Sequence, residues 1–115
     1  SSTLKTDFEA GSLKYMPPEV LNGTIKAINP AIDIWALGCI LYGMVCGQLP
    51  FNGSSNREII RKICAGDFKF PTDLDTEISA EVKDLIKKIL VVDPLKRSTL
   101  NNISTHPWVM GEKFK

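Results

Sequence analysis

Apolar residues recur along this chain at helical spacing, with turn-forming residues between the runs. Ser1 to Ala10 is rich in Ser and Thr and has no periodicity, which predicts an extended loop. Pro17-Pro18-Glu19 opens a short helix through Leu21, since proline is tolerated in a first turn, and Asn22-Gly23 then stops it. Asn29 and Pro30 offer a cap and a first-turn proline for a helix of about 16 residues ending near Gly47. Ile34, Trp35, Leu37, Ile40, Leu41, Met44 and Val45 make that helix apolar nearly all round, so it expects neighbours on every side. Ser55-Asn-Arg-Glu58 has the form of a capping box, followed by Ile59, Ile60 and Ile63 at one-face spacing. Ser79 can cap the next helix, with Val82, Leu85, Ile86, Ile89 and Leu90 as its apolar stripe. Lys83, Asp84, Lys87 and Lys88 are expected on its solvent side. Leu100 and Ile103 begin a last short helix near His106-Pro107-Trp108. No strand pattern, repeat or low-complexity tract stands out, so the expected fold class is all-α.

A chain of 115 residues has room for one core and one domain. Its net charge of +1 gives no electrostatic case for nucleic acid or an anionic membrane, and neither is expected as a partner. The longest apolar run, Ile34 to Cys46, is shorter than the roughly 20 residues of a membrane span and has Asp33 at its head. No apolar segment of a secretory signal opens the chain. Cys39, Cys46 and Cys64 lie in apolar stretches without metal-ligand spacing. They read as buried free thiols in a reducing compartment, cytoplasmic or nuclear, with no metal site.

Four motifs follow one another in order: Gly11-Ser-Leu-Lys-Tyr-Met-Pro-Pro-Glu19, Asp33-Ile-Trp-Ala-Leu-Gly38, Gly47-Gln-Leu-Pro-Phe51 and Asp93-Pro-Leu-Lys-Arg97. Together they resemble the C-terminal part, the helical C-lobe, of a eukaryotic-type serine/threonine protein kinase domain. The likeness covers essentially the whole chain. The stretches Leu41 to Phe51 and Ile63 to Pro71 look most like calcium/calmodulin-dependent and AMP-activated kinases. Met16-Pro17-Pro18-Glu19 and Gly38-Cys39-Ile40-Leu41 are also similar to spindle-checkpoint kinases. The resemblance implies an activation segment and the loop receiving the residue after the phosphoacceptor in 1–19, and a helical subdomain in 20–115. The Gly-rich phosphate loop, Val-Ala-Ile-Lys, His-Arg-Asp and Asp-Phe-Gly do not occur in the sequence. By this resemblance no catalytic residues are expected within this chain. The resemblance implies that ATP and Mg²⁺ belong to the parent kinase, which would transfer the γ-phosphate to Ser or Thr of protein substrates. This chain is expected to be inactive alone and to bind neither. The alternative is a pseudokinase lobe or a truncated, non-enzymatic protein-binding module.

The family pairs the glutamate of its Ala-Pro-Glu motif with a distant arginine, which implies a Glu19–Arg97 anchor here, although Pro17 replaces the usual alanine. The competing reading is two solvated surface charges. Asp33, by resemblance, accepts backbone N–H groups of the catalytic loop; without it, Asp33 is an acid favoured in a first helical turn. Trp35 is implied as core bulk and Gly38 as a close-packing point. Ser12, Leu13 and Met16 map onto the pocket for the residue after the phosphoacceptor, with Glu9 near its rim favouring a basic residue. Tyr15-Met16-Pro17-Pro18-Glu19 resembles serine/threonine rather than tyrosine kinases. Thr6, Thr3 and Ser2 are the candidate phosphosites, because the usual phosphorylated position falls on Phe8. Either Thr6 takes that role, or Asp7 and Glu9 supply fixed charge, or no such switch operates. Gly43 stands where several Arg-directed kinases carry a glutamate, and His106 is expected to pack beside Pro107 and Trp108. The expected partners are a substrate peptide and the missing N-terminal kinase portion. Self-association or segment exchange is expected of the chain alone, through its all-apolar helix.

Overall fold

Capping side chains and prolines set where the helices begin. The structure, a computed structural model, describes residues 12–24, 29–72 and 78–113. A single 3₁₀ turn at Ser12–Tyr15 leads through Met16-Pro17 into α1, Pro18–Leu21. Helix α2 spans Pro30–Cys46. The Asn29 side chain caps it by accepting from the Ala31 N–H at 2.9 Å. Gly47 ends it in the left-handed conformation (φ 79°), which a residue with a Cβ adopts only at a cost.

Helix α3 covers Asn56–Ala65 and α4 covers Ala80–Ile89. Ser55 accepts from the Glu58 N–H at 3.2 Å, as expected, but the other half of the capping box differs. The Glu58 carboxylate reaches past Ser55 to the N–H and hydroxyl of Ser54, at 3.0 and 2.9 Å. Two donors converging on one oxygen outcompete the single Ser55 N–H. Ser79 caps α4 by accepting from Val82 N–H at 3.2 Å.

The C-terminal part forms two short helices where one was expected: α5, Leu100–Ser104, and α6, Pro107–Met110. His106 precedes a proline and is held extended (φ −67°, ψ 141°), which breaks the helix there. Thr99 and Asn102 make the full capping box that Ser55 and Glu58 do not. Among the described residues there is no strand, and the architecture is all-α.

Helices α2 and α4 pack directly on one another at the centre, with α1 and the 3₁₀ turn against α3 and α6 against α4. Gly38 makes the close approach possible: a Cβ there would lie 2.4 Å from Ile89 Cγ2 and 3.0 Å from Leu90 Cδ2. An aromatic row completes the core. Trp35 stacks on Phe51 (5.6 Å, 9°), Phe68 meets Phe51 edge-on at 5.8 Å, and Tyr42 stacks on Phe70 at 5.6 Å. The Tyr42 hydroxyl donates to the Lys69 carbonyl, so its polar end is satisfied.

Three burial expectations need correction. Cys39 and Cys46 are buried but Cys64 is exposed, because it sits one helical step beyond the inward Ile63. Ile60 likewise lies at the edge of α3, outside the Ile59–Ile63 stripe. Lys83 and Asp84 are half-buried, not on the solvent side with Lys87 and Lys88.

Candidate functional site

The segment 12–19 is tied to the helical core by one buried ion pair. Arg97 donates to Glu19 through both terminal nitrogens, Nη1 to Oε2 at 2.7 Å and Nη2 to Oε1 at 2.9 Å. The two residues are 78 apart in sequence and only 4% and 3% exposed. Arg97 also donates from Nε to the Val91 carbonyl (2.9 Å), from Nη1 to Ala31 (2.8 Å) and from Nη2 to Val92 (3.2 Å). All five guanidinium N–H groups are thereby used, which lets so buried a charge remain in place. The pair joins α1, the start of α2 and the turn after α4 at one point. Solvated surface charges are excluded by this burial.

Trp35 supports the pair from below. It is fully buried, with the Arg97 guanidinium over its ring, 4.9 Å from the centroid. Its Nε1 is the one buried side-chain polar atom without a hydrogen-bond partner among the described residues. Cys39 lies in the same core, where burial pushes its thiol up to about 12, against a smaller opposing influence of Arg97. Gly38, one turn along α2 from Trp35, faces Ile89.

Asp33 is exposed at the head of α2 and makes no side-chain hydrogen bond among the described residues. It begins a stripe that continues through Leu37, Ile40 and Met44, which are 39%, 48% and 76% exposed. The spacing of four, three and four residues places them on one helical face. The sequence pattern gives α2 an apolar surface that needs neighbours on every side, and this face of it lies open.

Leu13 and Met16 are half-buried, and Leu13 packs against the core. The Ser12 backbone lies in the 3₁₀ turn with them. Lys14, not singled out from the sequence, donates to Asn52 Oδ1 at 3.0 Å. The Asn52 side chain also donates to the Leu49 carbonyl at 2.6 Å, and its own carbonyl accepts from Lys62 at 2.8 Å. This chain of bonds fixes the 12–16 turn against the α2–α3 loop and α3. Glu9, Thr6, Thr3 and Ser2 lie outside the described residues.

His106 is held by more than packing. Its Nδ1 accepts from the Trp108 N–H at 3.1 Å, so its ring proton sits on Nε2, 2.7 Å from Asp84 Oδ2. Asp84 also pairs with Lys88 at 2.9 Å. These contacts hold its carboxyl below the usual range, His106 contributing most. Sequence spacing gave no signal for this pair, because the partners are 22 residues apart, Asp84 within α4 and His106 capping α6.

A helical platform carrying an anchored loop on a buried Glu–Arg fork is the arrangement of a protein kinase C-lobe. The sequence matches the protein kinase domain family over residues 1–109, and the chain belongs to that family. It is 44% identical over 105 residues to a calcium and calcium/calmodulin-dependent serine/threonine-protein kinase of Lilium longiflorum, covering 91% of this chain and 20% of the relative. The autoinhibited serine kinase domain of the giant muscle protein titin superposes with a TM-score of 0.79 at 30% identity, over 86% of this chain and 30% of that one. The Rad53 kinase domain in complex with AMPPNP gives 0.75 at 36% identity, over 85% and 38%. The chain spans about a fifth of the length of the curated relatives it matches.

Proposed function

We propose that this chain is the substrate-facing, C-terminal part of a serine/threonine protein kinase that moves the γ-phosphate of ATP to Ser or Thr of protein substrates. The observation that carries this reading is the Glu19–Arg97 fork, because it fixes the 12–19 turn to a rigid core at a buried point. Phosphoryl transfer depends largely on positioning, so a fixed peptide-receiving loop is a contribution this chain can make without catalytic groups. Leu13 and Met16 are assigned as the floor for the residue after the phosphoacceptor, and Ser12 and Glu9 are assigned to the same substrate-binding function. Thr6, Thr3 and Ser2 remain the phosphosites of the preceding segment.

ATP and Mg²⁺ are assigned to the parent enzyme. Among the described residues, no group of three or more His, Cys, Asp or Glu could hold a metal ion. No step through either is derived for this chain. The open face of α2 is assigned to the N-terminal portion of the same kinase, with Asp33 placed to receive backbone N–H groups at its head. Alone, the chain should cover that face with another copy. No helix among the described residues is long and apolar enough to cross a membrane.

The test is to read the coding frame upstream of Ser1 and assay the encoded protein with labelled ATP and Ser/Thr peptides. An upstream His-Arg-Asp and Asp-Phe-Gly, with phosphate incorporated into Ser or Thr, is the expected result. Substituted motifs and no incorporation would overturn the catalytic reading in favour of a peptide-binding lobe.

A further inference from the structure

Lys87, Lys88 and Lys96 line a single open cavity of about 480 Å³ between the end of α4, the turn before Arg97, and α5. No carboxylate lines it. Asp84 lies behind it and partly neutralises Lys88, which it binds at 2.9 Å, and its other contact is His106. Lys87 and Lys96 are exposed, and no carboxylate is paired with either among the described residues, although the Lys87 ammonium lies over the Phe70 ring, 6.0 Å from its centroid. The rest of the polar lining also offers donors. Asn102 Oδ1 accepts from the Thr99 N–H at 3.0 Å, which orients the amide and leaves its NH₂ group available. The Ser98 hydroxyl makes no hydrogen bond among the described residues, while that of Thr105 is already committed to the Asn101 carbonyl. Val91 and Pro107 supply apolar wall.

A simpler role exists for two of the lysines, since Lys87 and Lys88 in the last turn of α4 complement the helix dipole. It does not account for Lys96, which lies outside any helix, or for the donor-rich lining. Ammonium groups are point charges without the planar fork that suits a carboxylate, and their attraction rises with the charge of the ligand. A phosphate monoester carries about −2 at neutral pH.

We propose that this cavity binds a phosphorylated serine or threonine of a partner protein, the phosphate between Lys87 and Lys96 and the flanking chain against Val91 and Pro107. The site is separate from the peptide-receiving turn at 12–16, and the proposal stands whether or not the parent kinase is active.

Fluorescence anisotropy on the full chain tests it, using a labelled phosphoserine peptide with Gly and Ala flanks at low ionic strength. Binding should be at least about tenfold tighter than for the unphosphorylated peptide. Lys96→Ala should weaken it about fivefold, and Lys87→Ala similarly. Both side chains are exposed, so the variants should keep the wild-type circular dichroism. Equal affinity for the two peptides, or unchanged binding by the Lys87→Ala/Lys96→Ala protein, would overturn the site. Inorganic phosphate binding as tightly as the phosphopeptide would overturn the protein-borne ligand and leave a site for free phosphate.

Discussion

The Arg97 guanidinium lies over the ring of Trp35, 4.9 Å from its centroid, while its edge is spent on Glu19 and three backbone carbonyls. One side chain thus serves a stack and five hydrogen bonds, and no other residue type has that geometry. Arg97→Lys should therefore be nearly as damaging as Arg97→Ala, each costing about 3–5 kcal/mol in urea unfolding. Glu19→Gln should fall in the same range, because it leaves a buried guanidinium without its counter-charge. A paired apolar replacement, Glu19→Leu with Arg97→Met, should recover only part of the loss. The carbonyls of Ala31, Val91 and Val92 would still lack donors.

Gly38 is required by space. Its backbone φ is ordinary, but an added Cβ would meet Ile89 and Leu90, both buried and unable to move aside. Gly38→Ala should destabilise by about 1–3 kcal/mol, an overpacking cost. Ile89→Ala removes the Cγ2 that would be struck, so Gly38→Ala should cost less in that background. A double-mutant cycle of unfolding free energies measures the coupling, and purely additive values would place the strain elsewhere.

The helix starts were legible in the sequence because their causes are local: Asn29, Pro30 and Ser79 act within three residues of themselves. The Glu19–Arg97 pair, 78 residues apart, could be named only through family resemblance, and its three carbonyl contacts could not be named at all. Those carbonyls are chosen by how the turn after α4 lies against α2. His106–Asp84 and the Lys14–Asn52 bond depend on tertiary placement in the same way. Even local signals misled where competitors were near. Ser54 took the Glu58 carboxylate that Ser55 was expected to hold, and Cys64, in an apolar run, turned outward.

Asp84 makes the acid limb of stability specific. Its carboxyl titrates below the ordinary aspartate value of 3.8, through His106 first and Lys88 next. Its contribution is therefore complete above that value and is lost as pH falls through the lower folded-state value. Acid unfolding followed by circular dichroism should show Asp84→Asn losing less stability than wild type in that range. The difference between Asp and Asn should shrink in a His106→Ala background, which lacks the largest cause. A difference that is unchanged there would remove His106 from the account.

The thiols should differ sharply in reactivity. Cys39 is buried with its pKa pushed up to about 12, and burial also raises that of Cys46. Cys64 is exposed. A thiol reagent at neutral pH should modify Cys64 rapidly in the native chain and all three only after denaturation. Mass spectrometry of the labelled peptides identifies the site, and rapid native labelling of Cys39 would contradict the packing around Trp35.

The stripe Leu37, Ile40 and Met44 sets the last expectation. These side chains are too exposed to support the core described, yet they form a continuous apolar face on its central helix. A stripe of this kind favours association in water unless something covers it. The chain alone should scatter light as a dimer or larger species, and Ile40→Glu with Met44→Glu should return it to a monomer. Because those positions contact solvent in the single chain, the substitutions should leave the unfolding free energy within about 0.5 kcal/mol of wild type at concentrations too low for association. The same pair placed in the whole kinase should instead destabilise it, since the face assigned to the N-terminal portion would then bury two charges. Loss of stability in the chain alone, with no change in mass, would mean the face is already covered within it.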